Sequence, residues 1–356
     1  MKKQAIIALL LCMAMLLPAC SMGGKTGMAD VHVFYYTYSD PYISSVRSAL
    51  DSKLKNAGIA FQDYDGNGNQ TTQTEQVQTA ITKGAKCVIV NIVNTGSDDA
   101  ANGIVQLAKN AGIPVIFFNR EVSDSVVSSY DKCAFIGTDA AEAGHLQGEM
   151  IGEYLTEHMD KVDLNGDGEI SYILFKGEEG NNEAIYRTQY AVEDANRILQ
   201  SKGFKPLKFY DASNANRYLV DKNGQWSAAA SNEFMTTALT SFSEAKNNMI
   251  ELVICNNDNM AEGAVSALNN AGYNKGLGSK MIPVFGVDAT DAAKELIRDG
   301  KMSGTIKQDA EGMADALLML AKNGLSGGSL MQGTEEYHVD KAVDKIRISY
   351  SKYLGE

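Results

Sequence analysis

Val88-Ile-Val-Asn91, a helical stretch, and then Ala111-Gly-Ile-Pro-Val-Ile-Phe-Phe-Asn119 decide the fold, because the same order returns later in the chain. There it reads Leu252-Val-Ile-Cys-Asn256, a helical stretch, Ala271-Gly-Tyr273 and Ile282-Pro-Val-Phe-Gly-Val-Asp288. Short apolar, β-branched runs alternating with helical patterns mark βαβ units and a parallel sheet. Finding the unit twice predicts two similar α/β domains. Both copies end their strands in Asn or Asp. In open α/β sheets ligands sit at the carboxyl ends of strands, so two facing domains would carry those side chains into one cleft. Taken singly, each such residue reads as well as a turn former.

The alternation extends in both directions. Val31 to Tyr36, Ile59 to Tyr64 and Cys133 to Gly137 read as further strands of the first half, with a helix from Tyr42 to Ala57 on an Ile43, Val46, Leu50, Leu54 stripe. Asp139 with Glu142 three residues on is a capping-box signal, and the long helix it opens leads into the second series. That series holds strands at Ser171 to Phe175, Leu207 to Tyr210 and Glu251 to Cys255, and a helix from Glu183 to Leu199. Residues 212 to 225 are polar, carry Asn223-Gly224, and read as a surface insertion.

The N-terminus has its own logic. Met1-Lys2-Lys3, an apolar run from Ala5 to Leu17 and then Leu17-Pro18-Ala19-Cys20 have the layout of a cleaved export signal. A small residue before Cys looks like a lipobox, which implies a lipid on Cys20, a signal over 1–20 and a tether over 21–29. The expected location is therefore the outer face of the cytoplasmic membrane, with the lipid as the membrane contact. The formal net charge is −12, with 44 acidic against 32 basic residues, which disfavours nucleic acid as a partner. Cys87, Cys133 and Cys255 sit in strand-like runs and read as buried small hydrophobes rather than a disulfide frame. No Gly-x-Gly-x-x-Gly follows the first strand, no Walker loop or Gly-x-Ser-x-Gly elbow occurs, and the histidines are scattered, so the chain is expected not to be an enzyme. Paired carboxylates of a secreted carbohydrate-active hydrolase remain the enzyme alternative.

Asp163-Leu-Asn165-Gly-Asp167-Gly168-Glu169-Ile-Ser171 places oxygen-bearing side chains at every second position around a glycine turn. An EF-hand loop supplies calcium in this way from positions 1, 3, 5, 7 and 9, with a bidentate Glu at position 12. Position 12 here is Leu174, so a structural calcium must borrow a carboxylate from elsewhere. The alternative is a polar surface turn.

Tyr38-Ser-Asp40-Pro-Tyr42, Phe117-Phe-Asn119-Arg-Glu, Phe135-Ile-Gly-Thr-Asp139, Lys176-Gly-Glu-Glu-Gly180, Ile254-Cys-Asn-Asn257-Asp, Val284-Phe-Gly-Val-Asp288 and Gly304-Thr-Ile-Lys-Gln308-Asp, together with the loop above, resemble the galactose/glucose-binding proteins in order and spacing. These are substrate-binding components of ABC importers with a type I periplasmic-binding fold: two doubly wound parallel-sheet domains joined by a three-segment hinge. The resemblance implies lobes of 30–138 plus 308–347 and 139–307 plus 348–356. Crossings fall near Thr138/Asp139, Lys307/Gln308 and Arg347/Ile348. It also implies that Asp40 accepts from the hydroxyl distinguishing galactose from glucose, that Tyr42 and Trp226 sandwich the ring, that Asn119, Asn257 and Asp288 bind hydroxyls, and that Arg187 forks near the anomeric end. Glu251 would supply the missing calcium ligand beside Asp163, Asn165, Asp167, Glu169 and Ser171. Asn181, Glu183 and Gln308 stand where the family usually has His, Asp and Asn, which leaves the hexose epimer open. Expected partners are a hexose (galactose, glucose or a methyl-galactoside) and an ABC permease, with a chemoreceptor as a further partner, the protein being a monomer. A same-fold carrier of ribose or xylose is the nearest alternative.

Overall fold

The computed structural model of the protein describes residues 29–340 and 342–355; the expected export signal, Cys20 and all but the last residue of the expected tether lie outside them. The chain first lays down β1 (Val31–Tyr35), α1 (Pro41–Asn56), β2 (Phe61–Asp65), α2 (Gln70–Thr82), β3 (Cys87–Val90), α3 (Asp99–Ala111), β4 (Val115–Phe118), α4 (Asp124–Ser128) and β5 (Cys133–Gly137). It then crosses to a second unit. This comprises α5 (Ala140–Val162), β6 (Ser171–Lys176), α6 (Asn182–Ser201), β7 (Lys208–Phe209), β8 (Leu219–Val220), α7 (Ala228–Ser241), β9 (Leu252–Cys255), α8 (Asp258–Asn270), β10 (Val284–Asp288), α9 (Asp291–Arg298) and β11 (Gly304–Lys307). α10 (Ala310–Ser326), β12 (His338–Val339) and β13 (Lys345–Arg347) return to the first unit, and β14 (Ser351–Tyr353) ends in the second.

The two sheets run β12-β13-β5-β4-β3-β1-β2 and β14-β11-β10-β9-β6-β7, with β8 also on β6. The repeat seen in the sequence is thus a repeat of topology. β3 and β4 hold in one sheet the places that β9 and β10 hold in the other. Strand pairs are parallel except β12/β13 and β11/β14. Both faces of each sheet are covered, which is why the strands read as unbroken apolar runs. Ile116 and Phe118 enter one core and Val115 and Phe117 the opposite one; Leu252 and Ile254 are divided from Val253 and Cys255 in the same way. Each such fully buried side chain contributes ~1.5–3 kcal/mol. Burial also pushes the thiols of Cys87 and Cys133 up to about 12, as expected of inert core cysteines.

Three local features differ from the sequence expectation. Residues 212–217 are largely exposed, but 219–220 form β8, and Asp221 is buried, accepting from Ser227 N at 3.1 Å and from Ser227 Oγ at 2.8 Å. The stretch is therefore a sheet edge that feeds Trp226 inward, not a mere insertion. The capping box at α5 is only half made. Asp139 accepts from Ala141 N, but Glu142 turns to Tyr350 N at 3.3 Å because β14 packs there. Finally, β11 to β14 are too short to give a periodic signal, although they carry the second and third crossings. Those crossings are stitched by Ile348 N to Gly137 O (2.7 Å), Arg347 Nη1 to Thr138 O (3.0 Å) and Gln308 N to Asp288 O (3.2 Å).

Candidate functional site

Between the carboxyl ends of the two sheets lies a small, partly enclosed cavity. Asp40, Tyr42 and Asn119 reach it from the first lobe, Asn181, Glu183, Arg187, Trp226, Asn257 and Asp288 from the second, and Gln308 from a crossing. Every residue named for the sugar from sequence thus lines one space. Tyr36 and Arg120 line it as well. Arg120 directly follows Asn119 in the Phe117–Glu121 motif and Tyr36 directly follows β1, where a ligand-facing residue is expected, yet neither is among the residues expected to meet the sugar.

Helix starts explain much of the placement. Asp40 caps α1, Asn181 caps α6 and Asn257 caps α8, each accepting from a backbone N–H in the first turn. Strand-end Asn and Asp are therefore turn formers and cleft residues at once: Asn257 spends Oδ1 on Met260 N at 2.9 Å and keeps its amide donor. Their neighbours serve as supports. Asn91 is fully buried, accepts from Tyr36 N, and donates to Phe118 O and to Asn119 Oδ1. Asn256 accepts from Gly177 N and holds Thr188 in the same manner. α6 can lie close to α5 because a methyl at Gly148 would come within 2.5 Å of Tyr190 O. Backbone strain gathers here too: Asn119, Trp226 and Asp288 have φ of 60°, 53° and 126°. Such conformations cost ~1–3 kcal/mol each and persist where surroundings impose them. Around Asp288 the imposing group is the buried Asp258 carboxylate, which accepts from Thr290 N (2.8 Å) and Thr305 Oγ1 (2.6 Å).

The electrostatics are those of a polar space deprived of water. Arg187 is buried, donating from Nη1 to Asn256 O (2.9 Å) and from Nη2 to Tyr350 Oη (2.8 Å). It makes no surface pair with Glu183. Both Glu183 carboxylate oxygens, Arg187 Nε and Gln308 Nε2 are buried without a partner. Burial, opposed by Arg187, pushes Glu183 up to about 7 and raises Asp288 well above the carboxylate range. Native proteins rarely leave such groups unpaired. The cavity offers acceptors, donors and two aromatic rings, Tyr42 and Trp226, to something small and hydroxyl-rich.

A profile of the periplasmic binding protein domain matches residues 31–329. The chain belongs to that family. It is 33% identical over 321 residues to the D-galactose/methyl-galactoside binding periplasmic protein of Haemophilus influenzae, covering 90% of this chain and 88% of the other. To a putative rhizopine-binding protein of Rhizobium meliloti it is 29% identical, covering 80% and 82%. Among solved structures, a Bacillus halodurans ABC transporter solute binding protein with bound myo-inositol superposes with a TM-score of 0.69 at 24% identity, covering 93% and 96%. One from Clostridium phytofermentans with bound β-D-glucose gives 0.69 at 21%, covering 91% and 94%. These last two likenesses establish the shared fold.

The second lobe of this binding protein also carries the Asp163–Ser171 loop. Gly166 and Gly168 have φ of 69° and 74°, and their N–H groups donate to the two Asp163 oxygens at 2.8 and 2.9 Å. Glu251 is fully buried, its Oε1 accepting from Leu164 N at 2.8 Å and Oε2 from Ser171 N at 2.9 Å. The fold thus brings Glu251 against the loop. Glu169 turns its carboxylate to Lys208 at 3.0 Å, leaving its carbonyl for the position-7 role. Among the described residues no group of three or more His, Cys, Asp or Glu is placed to hold a metal; the donor set here includes the Asn165 amide and the Ser171 hydroxyl.

Trp226 rests on Gly177, where a methyl would approach indole Cδ2 to 2.1 Å. Gly177→Ala is therefore expected to displace the ring without unfolding the lobe. Trp226 is the chain's single tryptophan, so a shifted intrinsic emission maximum with unchanged far-UV circular dichroism checks this. An unshifted spectrum would count against the packing described.

Proposed function

We propose that this chain is the exported sugar-binding component of an ABC importer, closing on a hexose of the galactose/glucose class and delivering it to a permease. The supporting observation is the set of unpartnered buried groups, Glu183 Oε1 and Oε2, Arg187 Nε and Gln308 Nε2, in the cavity that also receives Asp40, Asn119, Asn257 and Asp288. Hydroxyls that donate to carboxylates and accept from amides and a guanidinium satisfy all of them together. Selectivity follows, since a ligand lacking one hydroxyl leaves a buried group unpaired. The galactoside-binding name of the Haemophilus relative supports the hexose, and the bound molecules of the structural neighbours mark cyclitols as the competing class. In this reading the protein is a carrier, not a hydrolase. Export and a lipid at Cys20 rest on the signal-like N-terminus.

Calcium is the second part of the proposal. Asp163, Asn165, Asp167, Glu251, Ser171 and the Glu169 carbonyl would hold it, and its charge would neutralise a loop rich in carboxylates. Binding only the folded form, it would stabilise by mass action.

Calorimetry against D-galactose, D-glucose, D-ribose, D-xylose and myo-inositol is expected to give heat with a hexose, and Asp288→Ala to cost ~2–5 kcal/mol of that binding. Heat with pentoses or inositol alone would overturn the assignment, as would turnover of nitrophenyl galactoside. Affinity should also depend on pH. Glu183 in the empty cleft is protonated below about 7, while donating hydroxyls favour its ionised form. Binding is thus full at pH 8 and falls about tenfold by pH 6; a flat profile would place Glu183 outside the contact set. For the loop, a chelator should lower the melting temperature. With calcium at a hundred times its Kd the expected gain is roughly 3 kcal/mol. Glu251→Ala should remove that gain while leaving sugar affinity intact, and a chelator-insensitive melt would refute the metal.

A further inference from the structure

Arg120, which lines the cavity, and Glu178 meet between the lobes, one from each. Arg120 follows β4, and its Nη2 lies 3.2 Å from Oε1 and 2.9 Å from Oε2 of Glu178, which follows β6. Each partner is held before the other arrives. Arg120 Nε donates to Ile92 O at 2.7 Å and Nη2 to Val93 O at 2.8 Å, both within the first lobe. Its guanidinium lies 4.4 Å from the centre of the Tyr36 ring, whose hydroxyl donates to Asp40 at 2.6 Å. In the second lobe Glu178 Oε2 accepts from Asn181 Nδ2 at 3.3 Å and Trp226 Nε1 at 3.5 Å. A polar chain thus runs Asp40, Tyr36, Arg120, Glu178, Trp226 through residues of both lobes that line the cavity or adjoin it.

We propose that the Arg120–Glu178 pair is a latch that forms only when the lobes close and sets how long the cleft stays shut. An exposed ion pair adds little because ordering two long side chains offsets the attraction. Here the Arg120 side chain is 6% exposed and that of Glu178 21%, and both are pre-ordered by neighbours in their own lobes, which lowers that cost. Opening separates the two lobes' anchors and so breaks the contact. Removing the carboxylate leaves Arg120 buried and unpaired in the closed state alone, because in the open state water reaches it. The loss therefore falls on leaving the closed state, not on reaching it. Through the Trp226 indole and Asn181, occupancy of the cavity and the latch share the same side chains.

The kinetic arm of the test rests on the hexose reading, and a second arm does not. In stopped-flow measurements of Trp226 emission with D-galactose and D-glucose, Glu178→Gln should raise the dissociation rate at least about tenfold and leave association within about twofold. Arg120→Met, at a residue that also lines the cavity, should raise dissociation at least as much, and the double variant should be no worse than Arg120→Met alone, the mark of two residues acting as one contact. Spin labels at Ser45→Cys and Glu295→Cys, one exposed site per lobe, report the interlobe distance in protein lacking residues 1–20; Cys87, Cys133 and Cys255 are buried and stay unlabelled. Glu178→Gln should shift that distribution toward longer distances, with or without sugar. Dissociation rate and distance distribution both matching wild type would overturn the latch, as would a loss confined to association or additive single effects. Should wild type take up neither sugar, a shifted ligand-free distribution keeps the latch and rejects the hexose, and an unshifted one rejects both.

Discussion

An ionisable group withdrawn from water must find a partner or neutralise, and the cleft is lined by several groups left without one. Glu183, Arg187 and Gln308 keep unpaired atoms in the cleft, whereas comparable groups nearby are fully committed. Asp258 takes two donors, and Arg120 takes two carbonyls and a carboxylate. The empty closed cleft is therefore a costly part of the structure, and in the proposed function a ligand relieves that cost. Selectivity and lobe closure are two readings of the same deficit.

The backbone carries a share of the same cost. Asn119, Trp226 and Asp288 hold left-handed or strained φ values because each must turn sharply off a strand end or sheet edge and still aim inward. Rigid supports behind them, Asn91, Asn256 and Asp258, are buried amides and a carboxylate whose hydrogen bonds are spent on the scaffold. Precision in the cleft is thus prepared one residue behind it. The loop around Asp163 is similarly braced from behind by Glu251, at the amino ends of β6 and β9, the opposite end from the cavity.

Much of this was legible in the chain because doubly covered parallel strands write continuous apolar runs, and β3, β4, β9 and β10 wrote the same one twice. Asn119, Asn257 and Asp288 could be named because strand ends face the cleft; that Asn257 also caps α8 could not, since a cap and a ligand contact look alike in one dimension. Tyr36 and Arg120 are not among the expected sugar contacts, because their partners are not legible in one dimension: Tyr36 meets Asp40 and Arg120 within its own lobe, and Arg120 meets Glu178 of the other. Short strands such as β8 and β13 were invisible for want of length, and the half-made capping box at Asp139 shows a local motif yielding to a long-range neighbour, Tyr350.

The threefold passage between lobes bears on how the protein assembles. β5 waits for β13 and β11 for β14, while α10, which packs on α1, arrives only after every strand of the second sheet but β14 has been translated. Neither half can complete its sheet from a contiguous piece of chain. Loop closure over such separations is slow, so a nascent chain stays pliable through most of its synthesis, a property well matched to threading through a narrow pore before collapse.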